Sequence, residues 1–522
     1  MSLKLYTLLV FVHAKVRTCT ESSQDPCQTL LVAERTFRLS DTLTKTTKPL
    51  LTQEPAHLRF YSCGPTVYSY AHIGNFRSFL TADLVVRTAR ALGWRVTWVS
   101  NITDVGHLTQ DDVADAEGED KMEKALKSKE GERFNNVYEL AEFYTEAYKQ
   151  DWQRLNLSEP EVRPKATQHV REQILAAQTL IANGHAYETP TGVYFNVASF
   201  PEYGKLSGNT RDSLRDASRE VVLDENKRDQ ADFAVWKTDD KHLMQWHSPF
   251  GWGFPGWHIE CSVMARAYLG DTLDLHSGGE DNIFPHHECE IAQSESLTGK
   301  PFANHWVHTR FLQVNGQKMA KSAGNFYTVR GLVDEGYDPL AIRWALISGH
   351  FGSPLNFTDQ GLTDAAKNIE RFRRADELAR GASGPGEDSL GGLLDGLYEA
   401  ALDAMASDLN TSIALAKALE GARAIGREGE AMSTASGTSA LRFLDRINAL
   451  LGIVRSEYDL PVAEKGGPKL DEGAIQALVD ERQAAKKAKD FGRADELRTR
   501  IEAMGVELRD TPQGPVWVPK AS

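Results

Sequence analysis

A change of hydrophobic periodicity between residues 57 and 103 constrains the fold more than any other feature of the chain. The strand-like run HLRFYSC is followed by a glycine-containing turn, GPTVYSYAHIGN, by the helical pattern FRSFLTADLVVRTARALGW and by a second strand-like run, RVTWVSNIT. Strand, glycine turn, helix and strand in this order begin a parallel α/β unit. Parallel strand patterns return in TLDLHSGG and HWVHTRFLQVNG. The sequence therefore predicts an α/β fold with a Rossmann-type parallel sheet.

The remaining segments differ enough in pattern to predict several domains, as a length of 522 residues also suggests. Residues 35–330 are predicted to form the Rossmann-type domain, and a connective insertion over about 107–255 splits its sheet, because this segment contains the turn-rich run HAYETPTGVYFNVASFPEYGKLSG. Gly-rich breaks between helical patterns predict a helical bundle domain over 331–460. A helical pair and a strand-like tail predict a small C-terminal domain over 471–522. We interpret residues 1–34 as an atypical N-terminal extension.

Charge and cysteine content restrict the compartment and the partners. The formal net charge of -14 argues against a general coating of nucleic acid, but it leaves room for a local basic surface that binds a specific RNA. The five cysteines are widely scattered and form no disulfide framework, which favours a reducing compartment. No apolar run reaches the roughly 18–20 residues that a bilayer span needs, and the apolar start MSLKLYTLLVFVHAK has no clear cleavage site. We therefore expect a cytoplasmic protein that is not bound to a membrane.

Two short motifs carry groups suited to phosphate chemistry. In AHIGN, His72 and Asn75 lie between a strand and a predicted helix, and helix N-termini offer N–H groups and a positive dipole end to phosphate. An imidazole at that position can donate a hydrogen bond as charge builds up in a transition state. In KMAKS, Lys318 and Lys321 can close over a triphosphate and neutralise the departing pyrophosphate. Each motif alone is more often an ordinary turn or an exposed basic loop.

The stretch DLHSGGEDNIFPHHECEIAQ, residues 274–293, combines ligand-type side chains with a glycine pair. His286 and Glu290 are four residues apart and therefore share one face of a helix. Spacing permits Cys289 equally, and Cys63 and Cys261 are further candidate ligands from distant parts of the chain. The glycines before this helix would let a nucleotide approach the backbone closely. The residues alone leave the choice of metal ligands open.

Taken together and in this order, the two motifs resemble the HIGH and KMSKS signatures of class I aminoacyl-tRNA synthetases. The segments FYSCGPTVYSYAHIGN, VYFNVASFPEYGKLSG, PGWHIECSVMA, FPHHECEIAQSE and the C-terminal tail resemble more specifically the cysteinyl-tRNA synthetases, over about residues 35–520. Two signature positions depart from the family pattern: Asn75 replaces the second His of HIGH, and Ala320 replaces the first Ser of KMSKS. The Asn75 amide still offers a donor and both lysines remain, so we expect activity to survive.

The resemblance implies an enzyme that activates L-cysteine with ATP to cysteinyl-adenylate and transfers cysteine to tRNA-Cys. Shape alone discriminates weakly between cysteine and serine, whereas a zinc ion binds a thiolate far better than an unionised hydroxyl. One Zn²⁺ per subunit is therefore implied, and Mg²⁺ accompanies ATP. The ligands implied by the family pattern are Cys63, Cys261, His286 and Glu290. At the position of Cys289 the relatives usually carry Asn.

The resemblance also implies roles for residues along the nucleotide and amino-acid sites. The implied catalytic residues are His72, Lys318 and Lys321. The implied ATP-binding residues are His72, Gly74, Asn75, Gly278, Gly279, Asp281, Lys318 and Lys321. Trp257 would wall the amino-acid pocket, and His276 would lie near the bound cysteine or adenylate. His287 and Glu288 are assigned structural roles.

The C-terminal segment matches the anticodon-binding end of the family. RQAAKKAKDFGRADELRTR interleaves basic side chains with Phe491, a combination suited to phosphates and an unstacked base. Its basic residues include Lys486, Lys487, Lys489 and Arg493. By the same resemblance, we expect a monomer.

Two other functions fit parts of this pattern. The cysteine ligase of mycothiol synthesis resembles the catalytic core but joins cysteine to an amino sugar, and it lacks the anticodon-binding end that residues 471–520 retain. A non-catalytic, RNA-binding relative would be expected to lose signature or ligand residues, whereas His72, Lys318, Lys321 and all four candidate ligands are present. Ligation of cysteine to tRNA is therefore the preferred function.

Overall fold

The computed structural model describes residues 35–106, 108–110, 117–209, 226–319, 325–458, 472–488, 490–503, 506–511 and 514–519. The strands are β1 (Arg38–Asp41), β2 (Thr46–Pro49), β3 (His57–Ser62), β4 (Arg95–Ser100), β5 (Leu108–Gln110), β6 (Glu117–Asp120), β7 (Ala186–Thr189), β8 (Gly192–Phe195), β9 (Phe233–Thr238), β10 (Trp246–Ser248), β11 (Gly251–Pro255), β12 (Leu275–Gly279), β13 (Trp306–Thr309), β14 (Leu312–Val314), β15 (Gln317–Lys318), β16 (Leu355–Phe357), β17 (Val506–Thr511) and β18 (Gly514–Pro519). The helices are α1 (Ile73–Ala91), α2 (Lys121–Leu126), α3 (Val137–Arg154), α4 (Val170–Ala182), α5 (Trp257–Leu269), α6 (Glu288–Thr298), α7 (Val329–Asp334), α8 (Pro339–Leu346), α9 (Asp359–Gly381), α10 (Gly391–Ala406), α11 (Thr411–Glu428), α12 (Thr434–Leu451), α13 (Glu472–Lys487) and α14 (Phe491–Ala503).

A parallel sheet with the strand order β13–β12–β3–β4 positions the candidate site. Its strands are largely buried on both faces, as parallel strands covered by helices are. Because the carboxyl ends of parallel strands meet at one edge, Cys63 after β3 lies beside the end of β12, and its N–H donates to the carbonyl of Ser277 at 3.0 Å. The predicted Rossmann-type parallel sheet is confirmed.

The parallel strand pattern HWVHTRFLQVNG contains two strands in different sheets. Strand β13 belongs to the parallel sheet, whereas β14 pairs with β16 in parallel and with β15 in an antiparallel hairpin. Arg310 and Phe311 separate the two strands. The N–H of Arg310 donates to the carbonyl of Phe351 at 2.9 Å, so a distant segment draws the chain out of the first sheet.

The segment between β4 and α5 carries the additional elements of the catalytic region. It contains the β5–β6 hairpin, α2, α3, α4 and a five-stranded antiparallel sheet in the order β10–β11–β9–β8–β7. A separate hydrophobic core, with Phe195, Phe233 and Trp236, lies between this sheet and α4. Because β11 ends at Pro255 and α5 begins at Trp257, the segment returns the chain to the parallel sheet directly before Cys261.

Helices α8 to α12 follow strand β15 along the chain and share a hydrophobic core with α1. A buried ion-pair network joins them: Asp83 on α1 accepts from Arg87 at 2.9 Å and from Arg343 on α8 at 2.6 Å. Helices α13 and α14 pack together before the antiparallel hairpin of β17 and β18. In the part of the chain that the structure describes, no helix is both long enough and apolar enough to cross a bilayer.

Candidate active site and metal centre

Four ligand-type side chains converge at the carboxyl edge of the parallel sheet. Cys63 follows β3, Cys261 lies on α5, His286 lies in the short helical segment before α6, and Glu290 lies in the first turn of α6. One ligand atom from each residue lies within 4.8 Å of the others, and all four residues are buried. His286 Nε2 is 2.9 Å from Glu290 Oε1, and Cys63 Sγ is 3.9 Å from the same oxygen. The structure thus brings together the four residues that the family pattern implied as ligands.

The electrostatics of this four-residue cluster suit a cation. Burial raises the pKa of the Cys63 thiol well above its ordinary value, whereas the hydrogen bond with Cys63 lowers the pKa of Cys261 to about 6. Burial alone would raise the pKa of Glu290, but His276 and His286 outweigh it and lower this pKa to about 2. The cluster therefore gathers a carboxylate and a thiol pair that readily loses a proton, which is negative charge that a divalent ion would offset.

The donor set fits zinc. Cysteine sulfur, imidazole nitrogen and carboxylate oxygen are the donors that Zn²⁺ accepts in proteins, and both thiols are free of disulfides. Cys63, Cys261 and His286 line a cavity of ≈ 700 Å³, so the donor set is accessible from that cavity. The Trp257 ring stacks on the His286 ring with 4.2 Å between centroids and forms part of the same wall.

Two buried histidines contact the candidate ligands directly. His276 Nε2 lies 2.9 Å from Glu290 Oε2, and His258 Nδ1 lies 3.0 Å from His286 Nδ1. Partners of this kind fix the orientation of a metal ligand. His276 is fully buried and lies beneath the cavity surface, not in its lining. No role is predicted for His258 from the sequence, although its position one helical turn before Cys261 is the signal that could have indicated one.

A third histidine, His287, contacts both the cluster and strand β13. His287 Nε2 lies 3.2 Å from Cys63 Sγ, and His287 Nδ1 lies 2.8 Å from His308 Nε2. Burial lowers the pKa of His287 well below its ordinary value, which keeps the ring neutral. A second donor set, formed by Cys63, His276, His287 and Glu290, overlaps the first one. His287, expected to be structural, therefore belongs to the surroundings of the candidate metal site.

Cys289, the rival candidate ligand, lies in the separate core formed with the antiparallel sheet. Its Sγ is 3.4 Å from Tyr203 Oη, and neither donor set found among the described residues includes it. The neighbouring Glu288 carboxylate accepts hydrogen bonds of 2.8 to 3.1 Å from three backbone N–H groups of residues 204–207. Both residues thus attach α6 to the YGKLSG turn, which is a structural role.

The other end of the cavity is the N-terminus of α1. His72 is the N-cap residue of this helix, and its Nδ1 accepts the backbone N–H of Asn75 at 3.1 Å. Because Nδ1 accepts, the ring proton lies on Nε2, the nitrogen that can donate to a phosphate oxygen. Asn75 Oδ1 accepts the N–H of His72 at 3.1 Å, which completes a capping box. The sequence predicts only a donor amide at Asn75, and this capping role is an additional finding.

The cavity joins most of the residues predicted from the sequence. Its lining includes Cys63, His72, Gly74, Asn75, Trp257, Cys261, Gly279, Asp281 and His286. Gly278, His276 and Glu290 are not among the lining residues. A Cβ atom at Gly278 would lie 2.8 Å from His287 Cε1, so packing against that ring already requires glycine at this position.

Two predicted regions are described only in part. The backbone of Lys318 ends β15, and Met319 lines the cavity, while the Lys318 side chain and residues 320–324, with Lys321, lie outside the described residues. Lys486 lies on α13, and Arg493 on α14 is 2.9 Å from Glu481. The side chains of Lys487 and Phe491 and the whole of Lys489 also lie outside the described residues.

Comparison with known families assigns two separate parts of the chain. The family model described as "tRNA synthetases class I (C) catalytic domain" matches residues 50–367. The model described as "Cysteinyl-tRNA ligase anticodon binding domain" matches residues 468–517. These two matches cover the cavity and the C-terminal helical pair.

Individual proteins agree with the family matches. The chain is 54% identical to the cysteine--tRNA ligase of Salinibacter ruber over 92% of this chain and 98% of that protein. It is 39% identical to the cysteine--tRNA ligase of Chlorobaculum tepidum, over 93% of this chain and 99% of that protein. The fold resembles that of methionyl-tRNA synthetase from Mycobacterium tuberculosis, solved with methionyl-adenylate, with a TM-score of 0.53, 14% identity and coverage of 76% and 92%. The chain belongs to the cysteinyl-tRNA ligase family of class I aminoacyl-tRNA synthetases.

Proposed function

We propose that the protein is a cysteine--tRNA ligase that converts L-cysteine and ATP into cysteinyl-adenylate and pyrophosphate, and then transfers cysteine to tRNA-Cys. The observation that carries the proposal is one cavity with two chemically different ends. Cys63 and Cys261 lie at one end, and the N-terminus of α1 with His72 lies at the other. The first end suits a thiol side chain held by a metal, and the second suits phosphate.

At the amino-acid end, the proposed zinc ligands are Cys63, Cys261, His286 and Glu290. Zinc, when bound, supplies a soft Lewis acid that favours the cysteine thiolate over the serine hydroxyl. The overlapping set with His276 and His287 contains one thiol instead of two and is therefore the weaker choice for zinc. In this proposal His276 orients Glu290, and Trp257 closes the pocket around the substrate side chain.

At the nucleotide end, the cysteine carboxylate attacks the α-phosphate of ATP, and pyrophosphate leaves. His72 Nε2–H donates to the phosphoryl oxygen on which charge builds up. Lys318 and Lys321 stabilise the departing pyrophosphate, and Mg²⁺ accompanies the nucleotide. Asp281 accepts from the ribose hydroxyls, while Gly278 and Gly279 form the adjoining backbone, and Gly74 and Asn75 complete the wall at the start of α1. These groups act by position and electrostatics, since the reaction needs no covalent intermediate on the protein.

The second step passes cysteine to RNA. The 2′-hydroxyl of the terminal adenosine attacks the adenylate carbonyl, an ester bond forms, and AMP leaves. We assign the catalytic domain to residues 35–330, with an insertion over about 107–255, the helical domain to 331–460 and anticodon binding to 471–522. A monomer in the cytoplasm, carrying one Zn²⁺, is the proposed working form.

Cysteine-dependent exchange of pyrophosphate into ATP tests the first step, and charging of tRNA-Cys tests the second. We expect exchange with cysteine and without tRNA, no exchange with serine, and charging when tRNA-Cys is added. Absence of exchange would contradict catalysis and favour an RNA-binding role. Exchange without charging, but with cysteine joined to an amino sugar, would identify a mycothiol-type ligase instead.

A further inference from the structure

Arg77 lies on α1, two residues after the AHIGN motif, and only 2% of it is exposed. Its guanidinium donates four hydrogen bonds, and every acceptor is a backbone carbonyl. Nη1 donates to the carbonyls of Arg310 and of Phe311, the latter at 3.0 Å. Nη2 donates to the carbonyls of His350 at 3.1 Å and Ser353 at 2.7 Å. Arg77 therefore ties α1 to two other segments of the chain.

This environment is costly for a buried charge. Burial lowers the pKa of Arg77 to about 10, and Glu280 opposes that effect from a distance. Arg87, ten residues further along α1 and 3% exposed, also donates to backbone carbonyls, but its charge is in addition paired with the carboxylate of Asp83 at 2.9 Å. An apolar side chain could fill the Arg77 site without the loss of charge hydration. The presence of an arginine at this buried position is therefore better explained by the segments that its hydrogen bonds hold in place than by its packing.

The four carbonyls lie in the segments that directly precede two paired strands. Residues 310 and 311 directly precede β14, and residue 353 lies just before β16. Leu312 pairs with Leu355 in the parallel register of these strands, so Arg77 holds the starting ends of both. Strand β14 continues into the hairpin whose second strand, β15, ends at Lys318. A hydrogen-bonded hairpin moves as a unit. The attachment of its first residues to Arg77 therefore determines where the backbone of Lys318 lies relative to α1.

The chain after the KMAKS motif is attached to the same helix. The N–H of Ile73 donates to the carbonyl of Tyr327 at 3.0 Å, and His72 forms a bridge with Thr328. The chain therefore enters the motif from a hairpin anchored by Arg77, and it is attached to α1 again at Tyr327 and Thr328. Both described flanks of the motif are thus attached to α1, the helix that His72 caps.

We propose that Arg77 is a positioning residue for amino-acid activation: it fixes the hairpin that leads to Lys318 against the helix that presents His72, so that both groups act on one triphosphate. The inference rests on the proposed function of this cavity. Arg77 contacts neither the two-thiol cluster nor Trp257, so its loss should affect ATP and spare cysteine.

The test compares Arg77→Met and Arg77→Lys with Arg87→Met, a control at an equally buried arginine of the same helix. Pyrophosphate exchange gives kcat and the KM values for ATP and cysteine. Metal content, thermal unfolding and single-turnover transfer from preformed adenylate are measured alongside. For Arg77→Met we expect kcat/KM for ATP to fall about ten- to hundredfold, while the KM for cysteine, the bound metal and the transfer step stay unchanged. Arg77→Lys should fall between, since an ammonium group keeps three donors but cannot match the planar fork.

Arg87→Met should unfold at a lower temperature and keep the ATP kinetics of the wild type. The inference is overturned if folded Arg77→Met or Arg77→Lys retains the wild-type kcat/KM for ATP. It is also overturned if the Arg77 variants lose ATP, cysteine and metal binding in equal proportion, because that result is a general structural defect. A wild-type enzyme without any exchange would contradict the proposed function instead, before the variants are compared.

Discussion

His72 and Asn75 cap one another across the first turn of α1: His72 Nδ1 accepts the Asn75 N–H at 3.1 Å, and Asn75 Oδ1 accepts the His72 N–H at 3.1 Å. One nitrogen of the imidazole thus stabilises the helix start, and the other carries the proton proposed to reach phosphate. Structural and chemical roles therefore reside on different atoms of one ring, and a substitution can separate them.

His72→Asn should keep the cap through Oδ1, but its Nδ2 donor does not reach the position of the imidazole Nε2, because the Asn side chain is shorter. Asn is among the best N-cap residues, so the thermal stability should remain that of the wild type. The rate of pyrophosphate exchange should fall about 10²- to 10³-fold, as for loss of one transition-state donor. His72→Ala, which loses the cap as well, should cost a further ~1 kcal/mol of folding free energy. A His72→Asn variant with the wild-type exchange rate would remove His72 from the mechanism.

Cys261→Ala and Cys289→Ala form a matched pair for the metal assignment. Both thiols are buried, but only Cys261 belongs to a donor set, whereas Cys289 contacts Tyr203. We expect metal analysis to find zinc in the wild type and in Cys289→Ala and to find none in Cys261→Ala. The zinc-free variant should also lose its preference for cysteine over serine in the exchange assay. The reverse pattern of metal loss would make Cys289 the ligand.

His276→Ala should weaken metal binding without affecting the nucleotide. His276 Nε2 lies 2.9 Å from Glu290 Oε2, so its removal frees the carboxylate to rotate away from the ligand position. Loss of such a partner should lower zinc affinity about 10- to 100-fold, measured by competition with a chelator. His276→Gln, whose amide can donate to the same oxygen, should recover part of the affinity. Equal zinc affinity in the wild type, His276→Ala and His276→Gln would show that His276 does not orient Glu290.

The fold could be predicted where the signal is local. The hydrophobic periodicity of consecutive residues is sufficient to predict β3, α1 and β4, and these elements form as predicted. The division of HWVHTRFLQVNG could not be predicted, because it depends on a hydrogen bond from Arg310 to Phe351, some 40 residues further along the chain. Periodicity reports which face is apolar and contains no information on such a distant partner.

The site shows the same difference between local and distant information. The four candidate ligands stand in motifs that can be matched to a family, and the structure brings them together. The contacts of His258, His287 and His308 arise from packing between α5, β13 and the segment before α6, and no spacing in the sequence encodes them. Arg77 escaped notice for the same reason, because all its acceptors are backbone atoms of distant residues.

Asp83→Asn should destabilise the junction between α1 and α8 in a pH-dependent manner. Burial would raise the pKa of Asp83, but Arg87 and Arg343 outweigh it and lower this pKa below its ordinary value. The folded protein therefore binds this proton less tightly than the unfolded chain, whose value is about 3.9, so the stabilisation is complete above that value and disappears as the pH falls through the lower folded pKa. At pH 7 the substitution should cost about 3–5 kcal/mol, because two buried guanidinium groups lose their counterion. Urea unfolding of both proteins between pH 7 and pH 3 measures the difference, which should narrow only below about pH 4. Asp240→Asn, at an exposed turn, is the control and should leave the unfolding free energy unchanged over this pH range. If the difference in unfolding free energy between the wild type and Asp83→Asn stays constant down to pH 3, ionic stabilisation by Asp83 is excluded.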